Sequence, residues 1–349
     1  MAKAIGILFV VAGHIPGIGF FPFLPYTFHI PLFYFLAGVV FDPNYLSRPA
    51  LFAVRRVRSL LLPYFIYNFI FATMSELAKR WPGVAFEAQQ GGVIRLLLLE
   101  PFISGHQYML FAPGWFLCSL LLVGLAYLFI LRLLNSAALP RLFYFSLFFT
   151  LAVAGMLYGK LESKSRYFNY YFNMVVAKNL VGVFFFYLGG QFRTPEYVAR
   201  LCDSRILLVA CAIQIYCVTH YNANFFVAMN NYPSIVSSFL TSMCGIAFVI
   251  FFASLIADSK RLNDEWLLLI GRNSLHILAC HLFVFQLLNI IFLSLHGDSL
   301  EILSRQFYYI YDAQHLWPVY FSAGIGVPVA VATWINRTRV AARSRWRQE

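Results

Sequence analysis

The chain has 349 residues, of which 61% are hydrophobic and 11% charged, with a mean hydropathy of +0.72. Soluble domains carry about 25% charged residues, so a chain this apolar is expected to be a polytopic membrane protein. The net charge of +12 would suit a nucleic-acid partner, but the cations collect at the ends of apolar runs, where membrane insertion puts them; no nucleic acid is expected. The runs are continuous rather than alternating, which predicts helical spans and not a membrane barrel. Six cysteines (Cys118, Cys202, Cys211, Cys217, Cys244 and Cys280) fall mostly inside these runs without a Cys-x-x-Cys pair. They read as small buried hydrophobes, with no metal site or disulfide framework indicated.

In chain order the apolar runs predict ten spans, near 4–23, 26–42, 60–78, 113–131, 142–158, 179–192, 206–219, 233–257, 266–294 and 316–336. No small-residue cleavage pattern follows the first run, so it reads as a retained helix rather than a signal peptide. Residues 92–104 are too short and too charged to span and read as an interfacial or re-entrant piece. With the N-terminus inside, the inner segments carry 17 Lys and Arg and the outer segments 8. That bias predicts an all-α polytopic membrane protein with both termini cytoplasmic. The expected organisation is a single membrane domain over 1–336 and a basic cytoplasmic tail over 337–349. Arg337, Arg339, Arg343, Arg345 and Arg347 in that tail suit anionic lipid.

The residues that carry chemistry concentrate in the first three spans. Lys3 and His14 are eleven residues apart. That is about 16 Å along a helix and nearly a whole number of turns, so an inner-edge cation shares a helix face with a mid-membrane imidazole. Gly6, Gly13 and Gly17 thin this helix, and Pro16 breaks or kinks it just past His14. Packing alone would account for the glycines and for a core histidine; an ionisable group inside a span is by default a functional candidate. His29 opens the second span in Phe28-His29-Ile30-Pro31-Leu32-Phe33, either as a second active imidazole or as a member of an aromatic belt. Arg55, Arg56 and Arg58 sit at the inner entrance of the third span. Guanidinium forks match phosphate oxygens, although any inner loop accumulates arginine. Further along, Trp115 could stack on a sugar or on adenine, or anchor the interface. Ser274 and His281 are seven residues apart on one helix face beside Asn273. They could line a cavity or satisfy one another. Glu76, Glu100 and His106 fall on the outer side, within reach of an acceptor.

Taken together these pieces resemble the acyltransferase-3 family, the integral-membrane sugar O-acyltransferases, in its short stand-alone form. The matching features are Lys3 with His14, Phe28 to Gly38, and Arg55-Arg56-Val57-Arg58 running into Leu62-Pro63-Tyr64. Weaker matches are Trp115-Phe116-Leu117, Gly182 to Gly189, and Gly271-Arg272-Asn273-Ser274-Leu275 leading to His281. The resemblance implies a ten-helix fold that takes an acyl group, usually acetyl, from acetyl-CoA on the cytoplasmic side. It implies transfer to a hydroxyl of a cell-surface or lipid-linked sugar, with no metal. In family terms Lys3 and His14 match the motif needed for activity, and Arg55, Arg56 and Arg58 match the basic region that receives the coenzyme A phosphates. The expected location is a bacterial cytoplasmic membrane, and the expected partners are acyl-CoA, a glycan acceptor and the bilayer. Physically, acyl transfer to a hydroxyl needs a base, and a neutral imidazole such as His14 suits that task. An acyl-histidine intermediate is equally compatible with the residues.

The rival reading is a secondary transporter of a small solute or a lipid-linked glycan, which should show inverted repeats and paired broken helices. Neither stands out in the sequence. A glycosyltransferase using lipid-linked sugars should carry acidic residues in the first outer loop, and residues 15–28 have none.

Overall fold

The computed structural model describes residues 1–18, 20–78, 92–134, 139–162, 170–221, 223–259, 265–306 and 308–345. Lys79, Arg80, Lys164, Arg166, Lys260, Arg261 and Arg347, all counted in the charge bias, lie outside the described residues. Every extended element among the described residues is a helix, and β pairing is limited to an isolated bridge between Phe226 and Asn231. In chain order the helices are α1 (Ala2–Gly13), α2 (His29–Val39), α3 (Pro49–Arg56), α4 (Leu62–Ala78), α5 (Glu100–Ile103), α6 (Trp115–Leu134), α7 (Arg141–Glu162), α8 (Tyr170–Gln191), α9 (Pro195–Leu201), α10 (Ser204–Tyr221), α11 (Ile235–Asp258), α12 (Glu265–Arg272), α13 (Ser274–His296), α14 (Ile302–Arg305) and α15 (Ala313–Arg345). Eight stretches are long and apolar enough to cross a membrane, and α1 and α2 are shorter apolar helices. The protein is an all-α polytopic membrane protein. Helix α15 continues without a break past residue 336 to Arg345.

The first two spans are shorter than their apolar runs suggest. Helix α1 stops at Gly13 instead of reaching residue 23. A helix continuing through Pro16 would drive the proline ring into the Ala12 carbonyl, and Gly17 takes φ +82°, a left-handed conformation that no helix continues. Twelve residues give a helix of about 18 Å, against a hydrocarbon core of about 30 Å. Helix α2 likewise begins only at His29, after a 3-10 turn over Pro25–Thr27. The connecting segment therefore runs as irregular backbone, which is tolerated at membrane depth only where protein encloses it. Its polar groups are bonded internally: Phe225 N–H donates to the Tyr26 carbonyl at 3.0 Å, Ser242 Oγ to the Thr27 carbonyl at 2.9 Å, and Gln214 Nε2 to Thr27 Oγ1 at 3.0 Å.

The third span is longer than the stretch near 60–78. α3, a π-helical turn over Val57–Leu61 and α4 form one continuous rod from Pro49 to Ala78. Pro63 accounts for the widened turn, because its ring excludes an ordinary bond to the Ser59 carbonyl. The arginine cluster thus lies on a helix rather than in a loop.

Close approach fixes the centre of the bundle. A Cβ on Gly38 of α2 would sit 1.9 Å from the Phe186 carbonyl oxygen of α8, and one on Gly189 of α8 would sit 1.9 Å from that of Phe35. The two backbones touch at reciprocal glycines, so packing alone requires these two residues. Helix α1 threads between α2, α11, α12, α13 and α15, and Ala4, Val11 and Ala12 on it are fully buried.

Candidate active site

The end of α1 and the start of α2 open into one cavity of about 230 Å³. It is lined by His14, His29, His106, Trp115, Tyr26 and Tyr308, among others, and is closed by the 225–229 loop and the 3-10 turn Met109–Gly114. No carboxylate lines it. With the N-terminus inside, as the charge bias predicts, the loops that reach it would lie on the outer side.

The imidazoles are held in one tautomer. His14 Nδ1 lies 2.7 Å from the Val10 carbonyl, His29 Nδ1 2.5 Å from that of Pro25, His106 Nδ1 2.7 Å from that of Ser104, and His281 Nδ1 2.8 Å from that of Ile277. A carbonyl can only accept, so each Nδ1 carries the proton and each Nε2 keeps its lone pair. His281 Nε2 approaches His14 Nδ1 at 3.3 Å, with ring centroids 4.9 Å apart. His14 Nδ1–H is therefore shared between the Val10 carbonyl and His281 Nε2. That leaves His14 Nε2 as a lone pair available to a ligand. His106, in the connection outside the spans, is pushed down to about 4 by burial and by the charge of Lys178. It stays neutral at ordinary pH. Among the described residues no three metal-ligating side chains converge.

Other residues singled out in the sequence lie away from this cavity. Lys3 is exposed at the first turn of α1, about 16 Å below His14. Asn273 donates from Nδ2 to the Leu269 carbonyl at 2.9 Å, and Ser274 is buried beside it. A Cβ on Gly271 would lie 3.5 Å from Ala4. The α12–α13 joint therefore packs beside the start of α1, and Asn273 and Ser274 belong to the Lys3 end rather than to the cavity. Arg55 donates from Nη1 to Tyr45 Oη at 2.8 Å, and Arg56 lies 5.2 Å over the Phe52 ring. Arg58 is exposed. Among the described residues none of these three arginines has a carboxylate partner. Glu100 is buried with Arg95 Nε 3.4 Å away, and it does not line the cavity.

Two features escape a reading of the sequence. The outer loops 106–114, 225–229 and 308–310 fold inward onto His14 instead of lying on the surface. Lys178, expected in an outer loop just ahead of a span near 179–192, lies inside α8 and is 4% exposed. Its Nζ is 4.4 Å from the Trp115 ring centroid. Asn173, Lys178 and Asn179 together give the start of α8 a loop-like composition, which hides the helix.

The cavity built on imidazoles is thus separate from the cations Lys3, Arg55, Arg56 and Arg58, none of which has a carboxylate partner among the described residues. Such an arrangement fits a membrane enzyme that handles a charged soluble substrate on one side and a second substrate on the other. Comparison with protein families matches residues 1–337 to the family described as "Acyltransferase domain", and the chain belongs to this acyltransferase-3 family. No curated protein and no solved structure matched the chain. The protein is thus a membrane acyltransferase.

Proposed function

We propose that the protein moves an acyl group, most simply acetyl, from acetyl-CoA at the inner face to a hydroxyl of a cell-surface or lipid-linked sugar held in the outer cavity. The observation that carries this reading is the fixed tautomer of His14. Its Nδ1–H is committed to Val10 and His281, which leaves Nε2 unbound, and the residue lines a cavity with no carboxylate. Nε2 takes the proton from the acceptor hydroxyl as that oxygen attacks the thioester carbonyl. The tetrahedral intermediate collapses, the carbon–sulfur bond breaks, and the coenzyme A thiolate leaves and recovers the proton from His14. An ester and free coenzyme A result. While His14 is protonated, His281 Nε2 accepts its Nδ1–H and spreads the positive charge. The guanidiniums of Arg55 and Arg58, which are exposed, and of Arg56, which is partly buried, have no carboxylate partner among the described residues and fit the phosphates of the donor. Trp115 offers an aromatic face for the sugar, and Asn273 and Ser274 lie on the donor side, near Lys3.

Membership of an acyltransferase family favours this reading over a secondary transporter. The test is acetyl transfer in membranes containing the protein, with radiolabelled acetyl-CoA followed into lipid-linked or polymeric glycan. Label that appears with the wild type and is lost with His14→Ala at equal expression supports the mechanism. Equal label from both removes His14 as the base. No label from either, across several acceptors and acyl-CoAs, returns the transporter to the front.

A further inference from the structure

The cavity chemistry described above leaves one buried charge unused. Lys178 is 4% exposed, and among the described residues no carboxylate lies within ion-pair distance of it. Its contact is the Trp115 indole, at 4.4 Å, and Cys118 lines the same recess. An ammonium taken out of water without a counter-ion is costly, and inside a membrane protein such groups mark substrate paths. A purely structural role is poorly served by lysine here, since a methionine would fill the same volume without the charge.

Geometry says where that charge acts. Lys178 shares a small recess with Ser104, Trp115, Cys118 and Ser119, of about 10 Å³, roughly the space of one water. No organic anion fits there. The recess and the 230 Å³ cavity share Trp115 as a common wall, and His106 lies along the same indole, with ring centroids 6.2 Å apart and planes 21° apart. The Lys178 amine therefore stands one side chain behind the cavity, and an anion bound there would favour its ammonium form. The histidines that line the cavity, His14, His29 and His106, keep Nε2 lone pairs, which suit the hydroxyls of a sugar. They offer nothing to a negative group, and no acidic side chain lines the cavity to cancel the field of Lys178. In a poorly solvated space such a field selects strongly.

We propose that Lys178 makes the outer cavity selective for acceptors that carry a negative charge: a sugar bearing a carboxylate, as in a uronic acid, or a phosphate, as in a glycosyl phosphate. This rests on the reading of the outer cavity as the acceptor site, and it names the class of acceptor. Trp115 is then the wall against which the anionic sugar lies, and Lys178 acts through it as a specificity-determining residue rather than a catalytic one.

The experiment measures binding, not turnover. Purified full-length protein in detergent is titrated with three probes: tetragalacturonate, glucose 1-phosphate and neutral maltotetraose. Wild type, Lys178→Met and Lys178→Arg are compared, with thermal unfolding and size-exclusion profiles to show that each variant is folded. The wild type should hold one or both anionic probes about 10–100-fold more tightly than the neutral one, the scale of a charge acting across one side chain at an effective dielectric of about 20. The probe that binds distinguishes the carboxylate from the phosphate. Lys178→Met should abolish the preference, and Lys178→Arg should keep most of it. Equal affinity for all three probes, no binding of either anion, or an unchanged preference in Lys178→Met overturns the proposal. Because no acyl-CoA is present, failure here leaves the acyl-transfer reading untouched. An anion preference in a protein that never transfers acetyl would overturn that reading instead.

Discussion

The two ends of the molecule handle charge in opposite ways. At the inner end Lys3, Arg55 and Arg58 are exposed, Arg56 is partly so, and the cluster is steadied by contacts with Tyr45 and Phe52. Water and incoming phosphates can both satisfy such groups, so the inner end needs no fixed geometry. At the outer end His29 and His281 are buried, His14 is half-buried, and every Nδ1 is tied to a main-chain carbonyl. Imidazoles so placed have one available tautomer and little freedom to turn. On the proposed function, the contrast separates a capture surface, where charge and reach suffice, from a reaction chamber, where orientation decides the rate.

Substitutions in the chamber should therefore lower kcat, and substitutions at the capture surface should raise KM for the acyl donor. The largest effect belongs to His14. His14→Ala should cut acetyl transfer by about 100- to 10,000-fold, the usual range for removing a general base. His29→Ala and His106→Ala should cost less, because neither has a second imidazole behind it as His14 has in His281. A ranking measured in one membrane assay checks this. A deeper loss at His29 than at His14 would move the base to the start of α2.

His281 comes next. His281→Ala should reduce kcat roughly 10–100-fold, the cost of one hydrogen bond to a charged partner, with KM for acetyl-CoA unchanged. His281→Gln, whose carbonyl can still accept from His14 Nδ1–H, should recover part of that loss. A structural role alone would lower the amount of folded protein in both variants and leave kcat per folded molecule the same.

At the capture surface, replacing Arg55, Arg56 and Arg58 together by Gln should raise KM for acetyl-CoA by about tenfold. This is less than three charge-assisted bonds would give in a buried site, because solvent screens exposed pairs. Rising salt should mimic the substitution in the wild type and should affect the triple variant far less. A salt-independent KM in the wild type would count against phosphate capture by these arginines.

What the sequence made legible follows the same division. Uninterrupted apolar runs show through composition, so ten apolar segments were readable, and an imidazole inside such a run stands out against its neighbours. His14 and His29 were visible for that reason. The arrest of α1 at Gly13 was less visible, because residues 15–28 are nearly as apolar as the helix before them, and hydropathy cannot tell a continuing helix from a buried loop. Pro16 and Gly17 were the available signals, and they read as a break or kink just past His14 inside a run drawn on to residue 23. Lys178 was hidden by the polar residues around it, which resemble a loop in composition but are enclosed when α8 packs against α2, α6 and α7. The inward folding of the 106–114 and 225–229 segments depends on contacts between residues far apart in the chain. No local pattern encodes that.

Lys3 gives the smallest expected effect and the sharpest discrimination between the two ends. A cation in the first turn of α1 opposes the helix dipole, so helix stability gives no reason for it. Replacing it by Met should leave folding unharmed. If Lys3 belongs to the capture surface, Lys3→Met should raise KM for acetyl-CoA by about two- to fivefold, the scale of an exposed charge contact. It should leave kcat unaltered, and Lys3→Arg should restore KM. Were kcat to fall as far as in His14→Ala, the cation would be acting on the chemistry across about 16 Å of helix. The side chain of Lys3 cannot span that length, so such a result would require the lower part of α1 to move toward the chamber during turnover. Steady-state kinetics of these two variants therefore decides whether α1 is a fixed post between two separate sites or a moving part that joins them.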